Sequence, residues 1–285
     1  MQRMRGGLLM CAAMAVAAIG AATAPVHAST FVVSAGAIGT GGSTPQQVLN
    51  APYSGPGGAG AASGAADRGI LRAKAFIQSV AGCNCTPNIS GGAGAWLYAT
   101  DVVISGPAGP ATVPATIHLV LDGSLAATGP NPWTAVKVSM YVTGPDNVTQ
   151  SGIAYLSDGA VGSSGILAGQ SSLTFHRNVD VDLGNLPVGT PFTIIFNLGA
   201  QADGSSWHLT YNTGTVDFFT SGGLHFPGSA SMALSSSTEA PGPVFTLPAG
   251  FTSNIPSMDV VDNYWTGAVT PVRNTTWGRL KSIYR

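Results

Sequence analysis

The chain has 285 residues, 45% of them hydrophobic and 8% charged, with 11 Lys and Arg against 12 Asp and Glu and a formal net charge of -1. Globular proteins carry about 25% charged residues, so a balance this neutral excludes a coiled coil, a charged disordered tail and a basic nucleic-acid binder. Glu239 is the only glutamate, and surface helices draw on Glu, Lys and Arg, so a helical bundle is excluded as well.

Residues 1–28 read as a secretory signal peptide. Arg3 and Arg5 form a basic start, 8–22 is an uncharged apolar run, and Val26-His27-Ala28 is a small-residue cleavage site behind Pro25. The run is shorter than the about 20 residues of a membrane helix, so cleavage, export and a secreted or cell-surface location are expected, with no membrane span in the mature chain. Cys83 and Cys85 follow the cleavage site. Export allows a disulfide between them, although it would close a very small loop and two free thiols serve equally. No other Cys or His lies near enough in sequence for a four-ligand zinc site.

Residues 29–66 are mostly Gly, Ala, Ser, Thr and Pro. They predict a short strand at 30–34 and then a loose loop, 54–66 being almost wholly small residues. From Ile70 onward short apolar runs alternate with turns. Strands are predicted at 70–80, 95–105 and 115–121, the last ending in Asp122-Gly123 as a hairpin turn. Over 135–143, Val136, Val138, Met140 and Val142 share one face. Another strand is expected at 152–156. The clearest period-two segment is 173–183: Leu173, Phe175, Val179, Val181 and Leu183 face one way, and Thr174, His176, Asn178, Asp180 and Asp182 the other. That marks a half-buried strand of an antiparallel sheet. Further strands are expected at 192–200, 207–219, 232–234 and 244–247. One-sided strands without 3.6-residue periodicity bury their apolar faces by stacking sheet on sheet. The expected fold is all-β, an antiparallel β-sandwich, jelly-roll-like, of about ten strands over 67–267, with a basic tail at 268–285.

Candidate chemistry is sparse. There is no G-x-S-x-G elbow, and His118, His176, His208 and His225 are scattered without metal-ligand spacing. They read as polar-face residues, and the protein is expected not to be an enzyme. A hydrolase would need His176 or His208 beside a Ser and an Asp in a cleft. The weak calcium candidates are Asp180 with Asp182, two residues apart on one strand face, and Asp259 with Asp262, because calcium takes clustered oxygen ligands. No other cofactor is implied. Sugars stack on exposed rings, which makes Trp133, Trp207, Tyr211 and Trp265 glycan candidates, with Trp96 in the same class; core packing is the competing reading for each.

Several stretches resemble one another's counterparts in a known class. These are the small-residue start leading to Asp67-Arg68-Gly69-Ile70-Leu71-Arg72-Ala73-Lys74-Ala75, the segment 222–234, and Phe245-Thr246-Leu247-Pro248-Ala249-Gly250-Phe251-Thr252 followed by Val260-Val261-Asp262-Asn263-Tyr264-Trp265. Together they resemble the extracellular bodies of bacterial PEP-CTERM-type exported surface proteins. The resemblance implies export and a place in the cell envelope or matrix, and it brings no catalytic residues. The Pro-Glu-Pro motif, membrane helix and terminal Arg cluster of that class are missing here. In their place, Arg273, Arg279, Lys281 and Arg285 put four of the eleven basic residues in the last 13 positions. Trp277, Leu280 and Tyr284 fall on one helical face of that tail, which is expected to serve as a sorting or docking tag.

Two functions follow. The first is a non-catalytic exported β-sandwich acting by structural or adhesive contacts with a surface or matrix component. The alternative is a carbohydrate-binding module, calcium-assisted. An acidic body argues against a nucleic-acid partner.

Overall fold

The structure is a computed structural model that describes residues 30–37, 40–44, 48–55, 58–79, 88–128, 134–145, 149–158, 172–205, 213–220, 222–229 and 241–267. The described chain opens with β1 (Thr30–Ala37), β2 (Thr40–Thr44), β3 (Val48–Gly55), β4 (Gly58–Asp67) and β5 (Ile70–Ser79). The long strands β6 (Asn88–Ser105), β7 (Thr112–Thr128), β8 (Thr134–Thr143), β9 (Thr149–Asp158), β10 (Ser172–Pro187), β11 (Phe192–Ser205) and β12 (Thr213–Phe218) follow. Short strands close it: β13 (Gly223–His225), β14 (Phe245–Thr246), β15 (Thr252–Asn254), β16 (Val260–Val261) and β17 (Tyr264–Trp265), with one 3-10 turn at Pro256–Met258. No helix among the described residues is long and apolar enough to cross a membrane.

The strands form an antiparallel sandwich. Sheet A has the order β2-β1-β6-β11-β8-β9, and sheet B has the order β10-β7-β12-β5-β4-β3. From β5 to β12 the chain visits the sheets in the sequence B, A, B, A, A, B, A, B. Each late strand slots between two early ones, β11 between β6 and β8, β12 between β7 and β5. That winding is the double Greek key of a jelly roll, as the alternating strands led one to expect. The strands β1 to β4 widen both sheets, β1 and β2 beyond β6, β3 and β4 beyond β5.

The core follows the period-two pattern. Val136, Val138, Met140 and Val142 of β8 are fully buried, and in the opposite sheet Ala115, Ile117, Leu119 and Leu121 of β7 and Val179, Val181 and Leu183 of β10 are buried too. Large residues fill the centre, where Phe196 meets Phe226 edge to face at 5.7 Å and 85°, within the 4.5–7 Å range typical of such pairs.

Two expectations are corrected. The small-residue segment before Asp67 is not a loose loop: β3 and β4 pair there from Val48↔Ala65 to Gly55↔Gly58, and β4 alternates between buried and half-buried positions throughout. Its inward positions are small because the opposite sheet lies close. A β-carbon on Gly64 would sit 3.1 Å from the Gly94 carbonyl and 3.2 Å from that of Ser34. Asp122-Gly123 is not a turn either, since β7 runs through it to Thr128. Gly123 makes room for the buried Phe218 ring of β12, whose nearest atom would lie 2.3 Å from an added β-carbon.

The segment from Phe245 onward ties the sheets together. β14 pairs with β7 of sheet B and β15 with β6 of sheet A. Asn263, in the turn of the β16–β17 hairpin at φ 71, links them. Its side-chain oxygen accepts from the Phe245 N–H and the Ser253 hydroxyl, and its amide donates to the Phe245 carbonyl. The sequence 245–265 therefore encodes a strap.

Candidate functional site

The outer face of sheet A carries a trough of about 370 Å³. The register sets its rows. Val32, Trp96, Asn197 and Tyr141 stand side by side on β1, β6, β11 and β8. The next row is Ser34, Gly94, Gly199 and Ser139, and the one after it is Gly36, Gly92, Gln201 and Lys137. Strands lie about 4.8 Å apart, so a row of four spans about 14 Å. The middle row is low because its two central residues have no side chain. The trough therefore has a floor of glycine and serine between taller walls.

Those glycines are required by their neighbours. The indole of Trp96 lies along its own strand over Gly94, 2.5 Å from where a β-carbon would be, and the Ser139 hydroxyl lies 2.7 Å from the same position on Gly199. One wall presents the half-buried Trp96 and Asn197, whose amide donates to the Ala95 carbonyl at 3.3 Å. The other presents Gln201, Lys137 and Asp203, with the Gln201 amide donating to Asp203 at 2.7 Å. Burial pushes the Asp203 carboxyl above its usual range, only partly offset by Gln201 and Lys137. An aromatic surface, planar amides and hydroxyls around a shallow apolar floor suit a ligand that is apolar on one face and polar at its edges.

A second constellation lies on the outer face of sheet B, where β7 meets β10, β13 and β14. Asp122 accepts from two imidazoles, His176 Nδ1 at 2.6 Å and His225 Nε2 at 3.0 Å. His225 is buried, and its Nδ1 points at the Phe226 carbonyl at 2.9 Å. The buried ring is thus held between the Asp122 carboxylate and a backbone carbonyl. Burial pushes the Asp122 carboxyl up, but the hydrogen bonds from His225 and His176 and their charge outweigh it and hold it below the usual carboxylate range. Beside it, His118 Nδ1 meets Asp180 Oδ1 at 2.7 Å and its Nε2 meets Thr246 Oγ1 at 2.7 Å. A cavity of about 480 Å³ adjoins both groups, lined by His118, His176, Asn178, Asp180, Pro227 and Pro243. His118 and His176 stand on the outward face, as the alternation of their strands placed them, while His225 is buried beside them at the register of Val120. The alternation within β10 was visible in sequence, but the pairing of His118 with Asp180 and of Asp122 with His176 depends on a register between distant strands.

The other candidate residues fall as follows. Asp180 and Asp182 share the outer face of β10, yet Asp180 pairs with His118 and Asp182 accepts from the Gly184 N–H at 2.9 Å. Asp259 pairs with Arg68 at 3.1 Å, and Asp262 sits at φ 48 in the hairpin turn, its N–H donating to Asn254. No group of three or more His, Cys, Asp or Glu that could hold a metal occurs among the described residues. Trp265 is half-buried, packed on the core with its Nε1 2.9 Å from the β-carbon position of Gly69. It serves packing, not an open stacking surface. Trp133, Trp207, Tyr211, Cys83, Cys85, the 1–28 leader and the tail residues Trp277, Arg279, Leu280, Lys281, Tyr284 and Arg285 lie outside the described residues. Trp96 is the aromatic that the structure sets in a trough.

The sequence matches no protein-family model and no curated protein. Among solved structures it is similar to a carbohydrate-binding module of the β-sandwich superfamily, at 10% identity and a TM-score of 0.19 over 60% of this chain and 55% of that one. It is also similar to the structure of infectious bursal disease virus strain Gx, at 11% identity and 0.16 over 93% and 68%. The VP2 subviral particle of that virus gives 12% and 0.15 over 71% and 60%. The chain thus spans about half the length of the module it matches. Likenesses this loose carry no ligand with them, and the sandwich stands on its own strand pairing.

Proposed function

We propose that this chain is an exported β-sandwich of the bacterial cell envelope or extracellular matrix that acts through surface contacts, and that the contact made by sheet A is with a saccharide. The observation that carries this reading is the trough. A pyranose ring has one apolar face and a rim of hydroxyls. Trp96 supplies a surface for the face, and Asn197, Gln201, Lys137 and Asp203 supply donors and acceptors for the rim. Rigid strands hold each of these groups, so little order has to be gained on binding. The calcium candidates Asp180, Asp182, Asp259 and Asp262 do not line the trough.

The test is a glycan array followed by calorimetry on the exported protein. Trp96→Ala is expected to weaken the bound glycan by about 2 kcal/mol, roughly thirtyfold, as for a central aromatic anchor. Tyr264→Ala, at an exposed ring on the strap, is expected to leave affinity unchanged. Absence of glycan binding, or binding that Trp96→Ala leaves intact, refutes the proposal.

A further inference from the structure

The hydrogen bonds around His118 have a direction. Asp180 can only accept while ionised, so His118 Nδ1 carries the hydrogen at that 2.7 Å contact. In the neutral ring Nε2 then holds a lone pair, and the Thr246 hydroxyl at 2.7 Å must donate to it. Hydroxyl to imidazole to carboxylate is the order in which a base activates a nucleophile and a third group orients the base. The three residues come from β14, β7 and β10, strands locked by the register Asp180↔His118 and Phe245↔Ile117. Thr246 and Asp180 are exposed, and His118 lines the adjoining cavity of about 480 Å³. Polar contacts this open to solvent contribute little to stability, and a reactant can reach them.

We propose that Thr246, His118 and Asp180 form an acyl-transfer site for short-chain carboxylic esters, set at the edge of the cavity that His118 and Asp180 line. Thr246 Oγ attacks the ester carbonyl carbon as its proton passes to His118 Nε2. The bond to the leaving oxygen breaks, and His118 returns that proton to it, releasing the alcohol and leaving the acyl group on Thr246. Water then attacks the acyl carbon and gives a proton to His118. The Thr246 oxygen departs and takes that proton, and the carboxylic acid is released. Asp180 stays ionised throughout, holding the ring and stabilising its cationic form. The proposal is independent of saccharide binding on the opposite face.

The experiment follows 4-nitrophenyl acetate hydrolysis by the exported protein. Saturable release of 4-nitrophenolate is expected, with Thr246→Val and His118→Ala reducing kcat/KM at least hundredfold and Thr246→Ser retaining activity. Asp180→Asn is expected to lower kcat and shift the pH profile with KM little changed. Acid quenching should leave an acetyl group on the peptide that carries Thr246, read by mass spectrometry. Thr246 is exposed, so Thr246→Val should keep the wild-type circular-dichroism spectrum. A rate unchanged in Thr246→Val, or an acetyl group found only elsewhere, overturns the proposal.

Discussion

The Asp122 carboxylate meets Nε2 of the buried His225 in a molecule that has few charges to place. Removing one member of a buried hydrogen-bonded pair deprives the other of that partner, at a cost of about 1–3 kcal/mol. Asp122→Ala should therefore destabilise the protein by about that much in urea titrations. His176→Ala, which removes a mostly exposed ring from the same carboxylate, should cost less than about 1 kcal/mol. Acid has a predictable effect. Asp122 is held below the ordinary carboxylate range, and so is Asp217, where burial is outweighed by the Thr220 N–H, Lys74 and the Phe219 N–H. A carboxyl depressed in the folded state stabilises it above the unfolded pKa, about 3.9, and that contribution is lost as pH falls through the folded value. Urea melts from pH 7 to 2 should show stability falling mainly below about pH 4, with a shallower acid limb in Asp217→Asn. Asp203, raised by burial, works in the opposite sense just above the unfolded pKa. At this scale the sequence placed His176 and Asp180 on the outward face of their strand. It could not show which partner each would meet, because Asp122 and His176 are 54 positions apart and His118 and Asp180 are 62.

The strands themselves were legible where large and polar residues alternate. β5, β8, β10 and the first part of β11 fall close to their predicted spans. The signal failed where both faces are built from small residues, as in β4 and over 90–94 of β6. There Gly and Ala stand against Ala, Ser and Gly, which reads as loop because no residue is apolar enough to reveal a buried side. The physical reason is proximity. A β-carbon on Gly91 would lie 3.1 Å from the Phe76 carbonyl and 3.3 Å from that of Ala61, both backbone atoms of sheet B. Two sheets normally pack about 10 Å apart with side chains between them, and here the backbones come nearer. Gly91→Val should push them apart and lower stability by about 1–3 kcal/mol, as overpacked cores do. Gly92→Ala, on the same strand but facing out, has its nearest atom 3.7 Å away and should be neutral to slightly stabilising. Thermal melts of the two variants distinguish a close-packed interior from a merely small-residue strand.

For the molecule as a whole, a jelly-roll-like sandwich could be argued from one-sided strands, but not which strand would lie beside which. Whether β11 lies between β6 and β8 depends on pairings between strands distant in sequence, such as Ser205 with Asn88 and Ile195 with Thr143. The trough was hidden for the same reason: Trp96, Asn197 and Lys137 become neighbours only when β6, β11 and β8 are laid side by side. The trough and the Thr246 relay then occupy opposite faces of one sandwich, so neither obstructs the other. The strap adds a mechanical property. With β14 gripping one layer and β15 the other, tension entering at Gly267 is spread as shear over both layers and does not peel a single edge. A molecule tugged from that end by flowing fluid would yield only when both grips slip together.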